Sequence, residues 1–172
     1  WLVNWPGHLQ RLNASGAEEQ LMTEKQRGPL PPVFFLAALI LQVLAYLFFP
    51  IVTLIPGGPS LLSLIPIVVG VVVMLMAARR FTTAGTTIRP FDKPSTLVTE
   101  GPFRFSRNPM YLGMLLILVG AAIALGVLTP FLIIPLFAWV ISTRFISAEE
   151  ARMGELFGQA FEDYMRRVRR WL

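Results

Sequence analysis

The chain has 172 residues, 55% of them hydrophobic and only 15% charged, with a mean hydropathy of +0.63; a soluble domain carries about 25% charged residues, so lipid is expected to be part of its solvent, and its length suits one compact domain. With no cysteine and a single histidine, His8, the composition excludes disulfides, thiol nucleophiles, thiolate sites and multi-ligand zinc centres, and no protein-bound metal is expected. The net charge of +5 resides in basic residues that flank apolar stretches rather than in a patch interleaved with aromatics, which points to anionic lipid headgroups and away from nucleic acid.

Residues 1–30 are mixed polar, and Pro6, Gly7, Gly16, Gly28 and Pro29 break any long helix. Trp1, Leu2, Val3, Trp5, Leu9 and Leu12 suit the headgroup region, where tryptophan is favoured. The segment is therefore expected to be either an interfacial arm or a loosely ordered one. Opening at Trp1, the sequence is expected to be a fragment or a processed form, without a signal peptide at its start.

Residues 31–172 are expected to form the membrane domain. The run VFFLAALILQVLAYLFFPIVTLI, in which Gln42 is the one strongly polar side chain, is long enough to cross the hydrocarbon core, which takes about 20 apolar residues. It predicts a first span over about 31–55, kinked or ended near Pro50. Gly57, Gly58 and Pro59 make a turn, and a second span is predicted over 60–78, stopping at Arg79 and Arg80. Spans three and four are predicted over 109–126 and 130–146. So short a connection forces an antiparallel hairpin. Gly113, Gly120, Ala121 and Ala124 offer small surfaces for close packing, within one chain or between two.

All 15 Lys and Arg residues fall in three segments: before span one, between spans two and three, and from Arg144 onwards. Four spans put those segments on one face, and the positive-inside rule makes that face cytoplasmic, with both termini and any polar chemistry on it.

Two polar segments remain, over 86–111 and 147–172. Helix connections usually have about 2–8 residues, so the stretch from Arg79 to Asn108 is too long for a mere connector. Its end, GPFRFSRNPMYLG, has a structural reading: Asn108 caps span three, Pro109 fills its first turn, and Arg104 and Arg107 reach for phosphates. In the second segment Glu162 with Arg166 and Asp163 with Arg167 form i,i+4 pairs that support an exposed helix. Glu149 and Glu150 follow an apolar span directly, where a carboxylate is costly unless solvated or paired. Being adjacent they point to different sides, so that one can face the bundle while the other pairs with Arg152 or Arg107.

Arg107-Asn108-Pro109-Met110-Tyr111, a short two-helix hairpin, Glu149-Glu150, Phe157-Gly158 and Tyr164 together resemble the isoprenylcysteine carboxyl methyltransferase and phospholipid N-methyltransferase superfamily. The resemblance covers roughly Thr86 to Leu172. It implies an all-α integral membrane protein, a bundle of about four transmembrane helices with a cytoplasmic C-terminal helix. It also implies S-adenosylmethionine as methyl donor and an acceptor that is lipophilic or membrane-associated, such as a prenylcysteine carboxylate or a phospholipid amine. The cofactor site it implies takes in Leu97, Val98, Gly101, Arg107, Asn108, Pro109, Tyr111, Glu149 and Glu150, with Arg107, Asn108 and Glu150 in catalytic positions. A cofactor with an amino-acid end needs a carboxylate for its ammonium, from Glu149 or Glu150, and a cation or amides for its carboxylate, from Arg107 or the loop. Adenine needs a half-apolar slot, for which Leu97, Val98, Pro102, Phe103 and Tyr111 are candidates.

One departure is chemical. Many members of that superfamily carry histidine where this sequence has Asn108, and asparagine cannot act as a base near neutral pH. An orienting role is expected there. Two other classes compete: a non-enzymatic transporter subunit or lipid-binding scaffold, and an NADPH-dependent membrane reductase.

Overall fold

The computed structural model describes residues 30–56, 61–85 and 95–172. The chain divides into Trp1–Leu30 and Pro31–Leu172. The N-terminal arm before Leu30, the turn at Gly57–Pro59, and Arg89 and Lys93 of the long loop lie outside the described residues.

Helix α1 runs over Pro31–Phe48. Proline at its start costs nothing, because the first N–H has no intrahelical acceptor. It ends seven residues short of the predicted span because Pro50 excludes its predecessor from helical geometry. The chain that follows is extended and folds across the hairpin of the later helices. Thr53 makes an antiparallel bridge with Val127, Leu54 N–H donates to Gly126 O at 2.8 Å, and Leu128 N–H donates to Val52 O at 2.9 Å. What reads as the end of a span is thus a lid of backbone hydrogen bonds over one end of the bundle.

After a 3₁₀ turn at Leu61–Ser63, α2 covers Leu64–Thr83. It passes Arg79 and Arg80, where the predicted span stops, since charge ends burial in lipid but not helical hydrogen bonding. Helix α3 covers Pro109–Leu125 and ends at Gly126, whose φ of 70° suits a residue without Cβ. Helix α4 covers Leu128–Ile141 and, through a π-helical turn at Ser142–Ile146, continues into α5, Ser147–Phe157. This uninterrupted 30-residue rod is ~45 Å long, about 15 Å more than the hydrocarbon core, so its polar end projects beyond the lipid tails. The π turn inserts one residue and turns everything after it by about 100° relative to an unbroken α-helix. Gly158 then breaks the rod with φ 48° and ψ −125°, and the short α6, Gln159–Arg167, follows before the non-helical Val168–Leu172.

Among the described residues, three helices have the length and apolarity to cross a bilayer, and the 17-residue α3 is apolar but shorter. The only β pairing among them is the single bridge. The molecule is an all-helical integral membrane protein. Its core lies between α1, α3 and α4, where Ala38, Tyr111, Met114, Leu118, Phe137 and Ile141 are buried together. Gln42 is fully buried there, and its amide donates to Leu118 O and Pro130 O, each at 3.1 Å. One polar side chain thereby ties α1 to both arms of the hairpin. Helix α2 and the turn before it lie along α3 so closely that a Cβ at Gly113 would sit 2.6 Å from Gly70 O of α2, and one at Gly120 2.7 Å from Ser63 O of the turn. The small surfaces of α3 at these two glycines are thus used within the chain. The other faces of α1 and α2 expose Leu36, Ile40, Leu47, Ile65 and Val68, as lipid contact requires.

Candidate functional site

The long connection returns to the bundle through residues that pack before they do anything else. Val98, Phe103 and Ala77 form a small buried cluster, with Phe81 and Met110 against it. The Phe81 and Phe103 rings meet edge to face at 5.2 Å. Gly101 has φ 62° and passes so close to Arg80 that a Cβ would meet its Nε at 2.8 Å; Arg80 itself reaches Glu100 at 3.2 Å. Val98, Pro102 and Phe103 are therefore packed against α2, while Leu97 is half-buried. The buried Tyr164 on α6 clamps this segment by donating its hydroxyl to Phe103 O at 2.7 Å. Burial pushes that phenol up to about 12, offset in part by nearby Arg107.

Beyond Phe105 the chain runs beside the C-terminal residues. Arg107 N–H donates to Arg169 O at 3.0 Å, and Ser106 Oγ and Asn108 Nδ2 both donate to Arg170 O, at 3.3 and 3.1 Å. The expected side-chain cap by Asn108 does not form. Its backbone N–H is taken by Ser106 Oγ at 3.1 Å, and its amide is turned to the Arg170 carbonyl because that strand of chain lies within reach. Pro109 opens α3 buried, as predicted for a first-turn proline.

The charged groups converge at the start of α3 and α5. Arg107 Nη2 lies 2.9 Å from Glu150 Oε1, and the two side chains are only 13% and 15% exposed. Arg170 grips the same carboxylate through Nε, 3.2 Å from Oε1, and through Nη2 on Oε2. Arg107 is thus held inward at the carboxylate, in place of the expected reach for phosphates. Next to this triad, Tyr111 donates its hydroxyl to Glu149 Oε1 at 2.6 Å. Glu149 and Glu150 thus serve different neighbours, one a phenol and one a pair of guanidiniums. Arg107 Nε is buried without a hydrogen-bond partner, so the cluster keeps one donor that the protein does not satisfy.

Farther out, Arg166 pairs with Asp163 one turn back, and Arg167 Nε donates to Asp163 O at 3.2 Å. This pattern replaces the expected i,i+4 pairs, because one exposed carboxylate collects both Arg166 and Gln159. Those hydrogen bonds hold the Asp163 carboxyl below its usual value.

Three participants were not singled out in the sequence: Ser106, Arg170, and Trp171, which packs against the core cluster that holds Tyr111. Arg170 sits in the terminal run RRVRRWL, whose composition reads as a solvated basic face. The weak signal was Trp171, an aromatic placed directly after the basic residues.

The profile described as phospholipid methyltransferase matches residues 60–160, more than half of the chain and all of the sequence-predicted site residues. A protein-S-isoprenylcysteine O-methyltransferase of Schizosaccharomyces pombe is 31% identical over 77 residues, which is 45% of this chain and 33% of that protein. The match therefore spans about a third of the relative's length.

Proposed function

The chain belongs to the phospholipid methyltransferase family, and from that premise we propose that it transfers a methyl group from S-adenosylmethionine to a lipophilic or membrane-held acceptor. The acceptor classes in view are a prenylcysteine-like carboxylate and a phospholipid-like amine. The observation that carries this reading is the shielded cluster of Arg107, Glu150, Arg170, Glu149 and Tyr111, in which Arg107 Nε has no partner. Opposite charges side by side, with one donor left over, suit the zwitterionic end of an amino acid.

Glu150, with an arginine on each oxygen, serves to hold Arg107. Arg107 Nε is then the donor for a ligand carboxylate, and Glu149, oriented by Tyr111, is the acceptor for an ammonium. When bound, S-adenosylmethionine supplies a methyl group on a cationic sulfur. Around it the chain's residues position and exclude water, which are the main levers for an in-line displacement. Asn108 cannot take a proton near neutral pH and holds the C-terminal segment through its amide. No nucleophilic side chain is required, in keeping with a chain that has no cysteine.

The reading is tested by calorimetric titration of the detergent-purified full chain with S-adenosylmethionine and its demethylated product, alongside NADPH. Saturable binding of both adenosyl ligands and none of NADPH is the expected result. Absence of adenosyl binding in a folded preparation overturns it, and binding of NADPH alone would favour a reductase. The comparisons lend no support to that alternative or to a transporter subunit or scaffold.

We assign the cluster's end of the bundle to the cytoplasm, because Arg79, Arg80, Arg104, Arg107 and Arg144 lie at the helix ends on that side. Cysteines placed at the exposed Ile51 and Leu54, in a chain that otherwise has none, should react with an impermeant thiol reagent only from the outer face of intact cells. Labelling only after permeabilisation would reverse the topology.

A further inference from the structure

We infer that Arg170 is a positioning residue of the cofactor site, acting through Glu150 and Asn108, so that the non-helical C-terminal segment is a wall of that site. The inference rests on the methyltransferase reading above.

Residue 170 is joined to the site by four hydrogen bonds. Its guanidinium takes Glu150 in a two-point grip, Nε to Oε1 at 3.2 Å and Nη2 to Oε2. Its carbonyl accepts from Asn108 Nδ2 at 3.1 Å and from Ser106 Oγ at 3.3 Å. The flanking residues fasten the same stretch, Arg169 O by Arg107 N–H and Trp171 by the core cluster. Two other arginines of the run behave differently: Arg166 and Arg167 turn to exposed Asp163.

The consequence for the site is geometric. A carboxylate gripped on both oxygens has lost its rotational freedom, and Arg107 Nη2, 2.9 Å from Oε1, inherits that fixity. Without Arg170, Glu150 can swing about its own side-chain torsions and carry Arg107 with it. The donor left over on Arg107 then samples many directions instead of one, and binding has to meet the ordering cost that Arg170 has already met. A fork of two N–H groups is something arginine has and lysine lacks.

The experiment titrates the full-length protein and its Arg170→Gln and Arg170→Lys variants with two ligands: S-adenosylmethionine, and methylthioadenosine, which has the adenosyl thioether but no amino-acid end. Losing a charge-assisted grip should weaken S-adenosylmethionine binding to Arg170→Gln by about tenfold or more, while methylthioadenosine binds as it does to the unsubstituted protein. Arg170→Lys should recover part of the loss. A merely structural role for the C-terminal segment would weaken both ligands in parallel, and that result overturns the inference. So does S-adenosylmethionine binding that is unchanged in Arg170→Gln. Should thermal melting show that Arg170→Gln does not fold, Arg170→Lys carries the same two-ligand comparison, with selective weakening of S-adenosylmethionine expected. If the unsubstituted protein binds no S-adenosylmethionine, the methyltransferase reading itself fails and this inference with it, whereas binding by the parent with equal binding by the variants removes this inference alone.

Discussion

Glu150→Ala is expected to be the most damaging single substitution in the polar part of the molecule. It leaves Arg107, whose side chain is 13% exposed, without a counter-charge, and breaking a buried pair from one side costs about 3–5 kcal/mol. The cost is large because the guanidinium stays shielded from water while its compensation is gone; the attraction that formed the pair is a smaller net quantity. Thermal unfolding in detergent should show a strong loss of stability, and S-adenosylmethionine binding should disappear even where the variant is folded. Asp163→Ala is the contrast. Its pair with Arg166 is more than half exposed on both sides, and exposed pairs contribute little, so no measurable change is expected. Equal melting of the two variants would mean that Glu150 and Arg107 are far better hydrated than their burial implies.

Gly113→Val should be comparably severe for an apolar reason. A Cβ at Gly113 would stand 2.4 Å from Met74 Cγ and 2.6 Å from Gly70 O. The methionine can move, but the carbonyl belongs to the backbone of α2 and yields only if the helices separate. Forcing extra methylenes into a close-packed contact costs about 1–3 kcal/mol, and valine adds a branched side chain on top of the clashing Cβ. Helices in lipid are held by close packing rather than by hydrophobic expulsion, so separating α2 from α3 removes what holds them together. Gly154→Ala, on α5 with no atom within 4 Å of the new Cβ, should instead stabilise by about 0.8–1 kcal/mol through helix propensity alone. The check is the melting temperature of both variants in one detergent. A Gly113→Val protein that melts with the parent would show that α2 and α3 are not in backbone contact.

The parts of this architecture that were readable in advance are those that depend on chain-local quantities. Apolar length and the absence of charge mark α1, α2, α3 and α4, since the cost of placing a polar group in lipid is incurred residue by residue. Proline marks the start of α3 in the same way. The candidate site was legible through the order of its motifs, which drew attention to Arg107, Asn108, Tyr111, Glu149 and Glu150 before any distance was known.

Tertiary structure decided the rest. That α1 stops at Phe48 and hands its tail to Val127 depends on an edge of backbone made available by a hairpin far along the chain. That α4 runs unbroken into α5 depends on a π turn, which leaves no mark in hydropathy. Asn108 has the right residue type and place for a helix cap, yet its amide goes to Arg170 O, because the C-terminal segment brings a competing acceptor to it. Sequence by itself determined an all-helical membrane bundle, since partition into lipid is a sum over neighbouring residues. Only the tertiary structure decided which carboxylate meets which cation. Glu149 and Glu150 are chemically identical neighbours, and Tyr111, Arg107 and Arg170 reach them from three separate stretches of chain whose meeting no local pattern encodes.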